Sequence, residues 1–221
     1  MKNKIAIIVL YLIFISESLL IANEFSIESS EIKILEKGNI TEARKGVKII
    51  SNDGVEINSD KLIYNKKENT LKISGDVKIN DKKNNIYTEG EEYIYYKNIE
   101  KIVSIGKTKS KIKNKYILES LDLVYERNLS KIHSQNKSNI IDQNNNKFFF
   151  DKFEFKINTN ILKAKDLSLY DNLNNQYYLN FAIVDLIENK FLGSDISIDF
   201  EDNLFGNNEN NPRLKANSLI S

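Results

Sequence analysis

Apolar side chains recur along this chain at a step of thirty residues, with fixed spacing inside each copy. Leu62 is matched at Ile32, Tyr93, Leu123, Phe153 and Ile183, and Tyr64, two residues on, at Ile34, Tyr95, Tyr125 and Phe155. Nine residues after each first anchor come Thr41, Leu71, Ile102, Ile132, Leu162 and Leu192. Two further on stand the mostly small Ala43, Ile73, Ser104, Ser134, Ala164 and Ser194. One step, Leu62 to Tyr93, is thirty-one residues, whereas Ile57 to Tyr87 is thirty. The extra residue is therefore expected in "TEGEEY", where Gly90 suggests a β-bulge.

Anchors two residues apart mark strands with one buried face. The polar stretches between them, such as "NKKEN", "YKNIE" and "ERNLS", have the chemistry of exposed turns. Thirty residues holding two or three short strands make one layer of a stacked β structure, and a single layer cannot bury its apolar face alone. Neighbouring copies must stack. The only proline, Pro212, lies beyond the last copy, which suits a backbone committed to ladders. The expected fold is all-β, a stack of about six such repeats. Ile183 is the weakest anchor, because Asp185 stands where the other copies carry an apolar side chain, so the sixth layer is expected to be irregular.

The chain of 221 residues is 41% hydrophobic and 29% charged, a composition that can bury a core. Its 32 basic and 31 acidic residues leave no basic excess for nucleic acid. With no cysteine and one histidine, thiolate zinc sites, cysteine nucleophiles and disulfides are excluded. Residues 1–22 begin with Lys2 and Lys4, continue through an apolar run from Ile5 to Ile15 and end on Ala22, the layout of a secretory signal. Residues 23–205 are expected to form one domain. The polar segment 206–221, which loses the alternation, is expected to be a connector toward a further C-terminal region.

The chemistry-bearing side chains do not assemble into a catalytic pattern. His133 lies beside Ser130 and Ser134, but alternation turns it outward and no nucleophile elbow accompanies it. Asp122 with Glu126, and Asp195 with Asp199, are spaced like paired carboxylates but read as outward charges on strands. The aspartates of "SDISIDFED" lack the glycine loop of a calcium motif. "KTKSKIKNK", Lys107 to Lys115, reads as a basic strand edge, with contact to an anionic headgroup as the alternative. No catalytic residue, metal ligand or cofactor is expected. What remains is the inward stripe of Ile32, Ile34, Leu62, Tyr64, Tyr93, Tyr95, Leu123, Tyr125, Phe153 and Phe155, which is either plain core or an apolar groove.

"SDKLIYNKKENTLKISGDVKI" resembles the repeat of the OstA-like (LptA-type) domain of lipopolysaccharide-transport proteins. "LGSDISIDFEDNLFGNNENNPRLKANSLIS" is similar to the segment that joins the periplasmic domain to the outer-membrane barrel in the LPS-assembly protein LptD family. The resemblance implies an open, taco-like β-jellyroll in the periplasm, associated with the outer membrane. The stripe would then be a groove shielding the acyl chains of lipid A during lipopolysaccharide transport. Its implied partners are lipopolysaccharide, an LptA-like bridge protein docking on an edge strand, and the outer-membrane translocon components. A free-standing LptA- or LptC-like bridge is the alternative within that class, and a secreted β-solenoid binding or cleaving polysaccharide is the alternative outside it.

Overall fold

The period-two runs form strands throughout the residues that the computed structural model describes, 25–188, 190–201 and 212–220. The expected signal, 1–22, lies outside the described residues, as do residues 206–211 of the expected connector. The strands are β1 (Phe25–Glu28), β2 (Glu31–Leu35), β3 (Ile40–Ser51), β4 (Val55–Asn65), β5 (Thr70–Asp81) and β6 (Ile86–Tyr96). Then come β7 (Lys101–Ile112), β8 (Tyr116–Leu121), β9 (Val124–Glu126), β10 (Lys131–Ser134), β11 (Ser138–Ile141) and β12 (Lys147–Phe150). The last are β13 (Lys152–Lys156), β14 (Ile161–Tyr170), β15 (Gln176–Asp185), β16 (Lys190–Asp199) and β17 (Arg213–Ile220). Among the described residues the helical turns are two 3-10 turns, Glu36–Gly38 and Lys97–Ile99.

All the ladders are antiparallel, and the short strands are halves of longer passes. β1 and β2 both pair with β3, β8 and β9 both pair with β7, and β12 and β13 both pair with β14. β10 fits between β9 and β13, while β11 fits between β8 and β12. Each pass is thus one long strand bent near its middle, so the sheet folds over and its two halves face each other across the core. In β3, β5, β7, β14 and β16 the bend lies where a residue takes positive φ: Gly46 (72°), Asp76 (41°), Gly106 (84°), Asp166 (53°) and Asp195 (52°). Glycine and aspartate are among the side chains that tolerate this backbone. Gly75 shares the second bend at φ 81°, and a Cβ there would lie 2.6 Å from an Asp60 carboxylate oxygen.

The thirty-residue register is a set of cross-strand columns. Ile34, Thr41, Tyr64, Leu71, Tyr95, Ile102, Tyr125, Ile132, Phe155 and Leu162 follow one another as direct partners from β2 to β14. Two details differ from expectation. Ile57 and Thr88 both pair with Ile79, so the step from β4 to β6 is thirty-one throughout and Tyr87 faces outward. The extra residue lies in the turn between Asp81 and Ile86, longer than the one between Ser51 and Val55. Register does shift opposite Gly90, but the bulged strand is its partner β7, at Gly106.

The sixth layer is offset by one residue. Leu162 pairs with Val184 and Ala164 with Ala182, while Ile183 joins Lys163 and Leu192 on the outer face. The bend of β14 passes from buried Ala164 to buried Leu167, one residue fewer than from Ala43 to Val47 or Ile73 to Val77. A slip of one residue exchanges the faces of a strand. Gly193, rather than Ser194, therefore stands inward, and a Cβ on it would come within 2.2 Å of Leu179 Cδ2. The expected connector is also partly sheet: Arg213–Ile220 pairs with β16, from Asp199↔Arg213 to Leu192↔Ile220. Main-chain hydrogen bonds suffice to add such an edge strand without the buried alternation that the inner strands show.

Candidate functional site

The facing halves of the sheet enclose one continuous apolar core. Of the stripe residues, Leu62, Tyr93, Tyr95, Leu123, Tyr125, Phe153 and Phe155 are buried in it, and Tyr64 is half-buried against it. Ile32 and Ile34 occupy the same columns but are 47% and 70% exposed. They belong to an end strand that pairs with β3 alone among the described residues, so their inward expectation fails for want of a covering layer. Toward the bends the core includes hydroxyls. Ser110 Oγ donates to Thr88 Oγ1 at 2.8 Å, and Thr88 meets the Tyr93 hydroxyl at 2.9 Å. Burial raises the Tyr93 phenol to about 12, so it stays protonated.

Antiparallel passes place their turns on two margins, and folding the sheet brings those margins together. Near β1 the Phe25 ring meets Tyr64 edge-on at 4.8 Å, with Lys97 Nζ 4.9 Å above the Phe25 ring. Next comes a buried ionic cluster. Arg127, 5% exposed, follows β9 on one margin, while Asp81 (1% exposed) ends β5 on the other. Arg127 Nε donates to Asp81 Oδ2 at 2.8 Å, and Arg127 Nη1 donates to Asp53 Oδ2 at 2.5 Å and to the Tyr95 hydroxyl at 3.0 Å. The Tyr125 hydroxyl donates to Asp81 Oδ2 at 2.9 Å, and Asn84 Nδ2 to the same carboxylate at 2.8 Å. Burial pushes the Asp81 carboxyl up, but the Arg127 and Asn84 hydrogen bonds and the Arg127 charge outweigh it and hold it below the usual range. Burial likewise opposes the Arg127 charge, and the two aspartates more than restore it.

Beyond this cluster the Tyr116 and Phe155 rings meet edge-on at 5.6 Å, and Lys113 Nζ reaches Asn160 Oδ1 at 3.2 Å. Further along, the Tyr177 and Phe191 rings meet edge-on across the margins at 6.1 Å. A cavity of about 300 Å³ lies between Phe148, Leu169 and Tyr177 on one side and Val184, Leu186 and Phe191 on the other. Asn144, Asn146, Asp171 and Asn172 form its polar rim. This volume sits at the low end of small-molecule cavities, about 300–1,000 Å³. The arrangement is an apolar interior, clasped at its middle by ions and bridged toward its C-terminal end by rings that border a cavity.

Other expectations sort plainly. His133 faces outward, half-buried beside Glu126 (3.7 Å) and Lys131, and burial lowers its pKa. Lys107, Lys109 and Lys111 point outward from β7, which is an inner strand paired with β6, β8 and β9, so the edge reading of the lysine run is overturned. Lys109 stands opposite Glu89 and Glu119, the latter at 3.5 Å. The carboxylates were expected outward, yet Asp81 is inward, in phase with Val77 and Ile79. Its sequence signal was that phase. Arg127, 46 residues away, gave none.

The OstA-like protein family matches residues 17–131, more than half of the chain. No curated protein matches the sequence significantly. Among solved structures, the chain is similar to LptH, described as the LptA homologous periplasmic component of the conserved lipopolysaccharide transport device from Pseudomonas aeruginosa. The identity is 10%, with 64% of this chain and 81% of that one covered at a TM-score of 0.29. From its repeat and its match over 17–131, the chain belongs to the OstA-like protein family, and like that family it is non-enzymatic.

Proposed function

We propose that the protein carries lipopolysaccharide through the periplasm, holding lipid A acyl chains between the two halves of its folded sheet. The observation that carries this reading is the continuous apolar interior with a cavity between its margins, in a chain of the OstA-like family. Burying one CH₂ is worth about 0.8 kcal/mol, so a twelve-carbon chain gains up to roughly 9 kcal/mol while its phosphorylated sugars stay in water at the margin. The groove comprises the buried stripe residues, with Phe148, Leu169, Val184 and Phe191 at the mouth. Ile32 and Ile34 serve the partner instead. They lie on an end strand whose outer ladder is free among the described residues, a surface suited to strand addition by an LptA-like bridge protein.

Within this class we favour the N-terminal periplasmic portion of an LptD-type assembly protein, exported by residues 1–22 and joined to the outer-membrane translocon. Its support is the resemblance of Leu192–Ser221. β17 adds that the ladder continues beyond residue 205. The reading frame after Ser221 discriminates: a barrel-length continuation supports it, and an immediate stop favours a bridge. The lipid reading is tested by a photo-crosslinking residue at Leu169, inside the mouth, or at Phe149, on the outer face of β12. Capture of lipopolysaccharide at Leu169 alone is expected. Equal capture at both positions, or none, contradicts the reading.

A further inference from the structure

We propose that Arg127, Asp81 and Asp53 form a gate that holds the two margins together at the middle of the groove, so that an acyl chain reaches the central core only when this clasp opens. The gate rests on the lipid reading for its purpose, though not for its motion.

Geometry singles out this point. Arg127 follows β9 in one half of the sheet, while Asp53 and Asp81 border turns of the other half, so every bond between them crosses the margins. The bonds also differ in depth. Asp81 is fully enclosed, and its carboxylate receives Arg127, Tyr125 and Asn84. Asp53 lies at the rim, with 37% of its side chain exposed. Glu100 is also 3.9 Å from the guanidinium, so the cation faces three carboxylates. Elsewhere the margins meet through rings, Tyr116 with Phe155 at 5.6 Å and, beside the cavity, Tyr177 with Phe191 at 6.1 Å. Ring contacts can slide over an entering acyl chain with little loss. An ionic cluster cannot, because inserting a chain strips its carboxylates of their partners in a dry environment. Hydration of the separated ions can hold the margins apart. The cluster therefore has two arrangements, paired and closed or hydrated and open, as a gate requires.

The test exploits a chain without cysteine, since labels attach only where cysteines are introduced. Spin labels at Lys83→Cys and Leu129→Cys, exposed positions in turns of opposite margins, report the gap. A single narrow distance is expected in the parent and a longer, broader distribution in Arg127→Met. Asp53→Ala removes the rim bond to Arg127, together with a local bond from Ser51, and leaves the Arg127–Asp81 bond; it is expected to shift a fraction of molecules, which keeps the test decisive if Arg127→Met does not fold. A photo-crosslinking residue at Ile132, beside Tyr125 in the ladder, should capture lipopolysaccharide several-fold more in the open variants, with capture at Leu169 unchanged. Unchanged distances in a folded variant overturn the gate while capture at Leu169 leaves the lipid reading intact. Widened distances without capture at either site leave the gate and remove the lipid reading.

Discussion

The margin at Arg127 and the margin at Phe191 occupy equivalent places in the repeat, yet one is held by ions and the other by a ring contact beside a cavity. At Arg127 the column residues Tyr95 and Tyr125 end in hydroxyls that join an ionic cluster across the gap. At Phe191 the same column carries Val184 and Phe191, and the facing Tyr177 ring meets Phe191 edge-on at 6.1 Å while a cavity remains beside Phe148 and Leu169. Phe155 shows the middle case, with an apolar ring answered by the Tyr116 ring. Successive layers thus yield an ionic clasp, a ring contact or a ring contact beside a cavity according to which side chains occupy two facing columns and to the one-residue offset of the sixth layer. A carrier built from equivalent layers can set its own access points in this way.

The largest expected effect of breaking that contrast is at the clasp. Arg127→Met leaves Asp81 buried without its cation and should cost about 3–5 kcal/mol, read by denaturant unfolding. Lys113→Met, which removes the part-buried hydrogen bond to Asn160, should cost only about 1 kcal/mol. Equal losses would show that Arg127 is no clasp. The acid limb sharpens the comparison. Asp81 has a folded pKa below its unfolded value, so its stabilisation is complete above the unfolded value, about 3.9, and is lost as pH falls through the folded one. Thermal unfolding of the parent should therefore steepen below about pH 4, and Asp81→Asn should flatten that limb.

Next in size is Gly193→Val in the offset layer. Its Cβ would collide with Leu179, so a loss of about 1–3 kcal/mol is expected, with the β15–β16 amides exchanging faster than those of β5–β6. Uniform acceleration would mean that the C-terminal end is not a separate region. Smallest is Ile34→Asp on the end strand. At 70% exposed it should change stability by less than about 0.5 kcal/mol, yet abolish pull-down of an LptA-like bridge. Undiminished pull-down would move the docking edge to β17.

Much of this fold was legible in the sequence, because column positions depend on local alternation and a constant step. The anchors from Leu62 to Phe155 hold as written. Ile183 and Leu192 failed because the β14 bend at Asp166 is one residue tighter, and nothing in "KAKDLSL" shows how many residues a bend consumes. The bends themselves were readable in retrospect, since Gly46, Asp76 and Gly106 repeat the thirty-residue step, and Asp166 follows two steps later, all αL-tolerant residues. The clasp was half legible. "DVKIND" places Asp81 inward by phase, whereas its pairing with Arg127 depends on the fold bringing two margins together. Ladder register specifies neighbours within the sheet, not contacts across its interior.

Amide hydrogen exchange during titration with lipopolysaccharide tests the central claim most directly, because it reads every layer in one experiment. The account predicts that protection rises first at Val184–Phe191 and Leu169–Tyr177, around the mouth, while Tyr125–Arg127 remains unchanged until higher lipid concentrations. Protection that appears first at Tyr125–Arg127, or on the outward face alone, would contradict it.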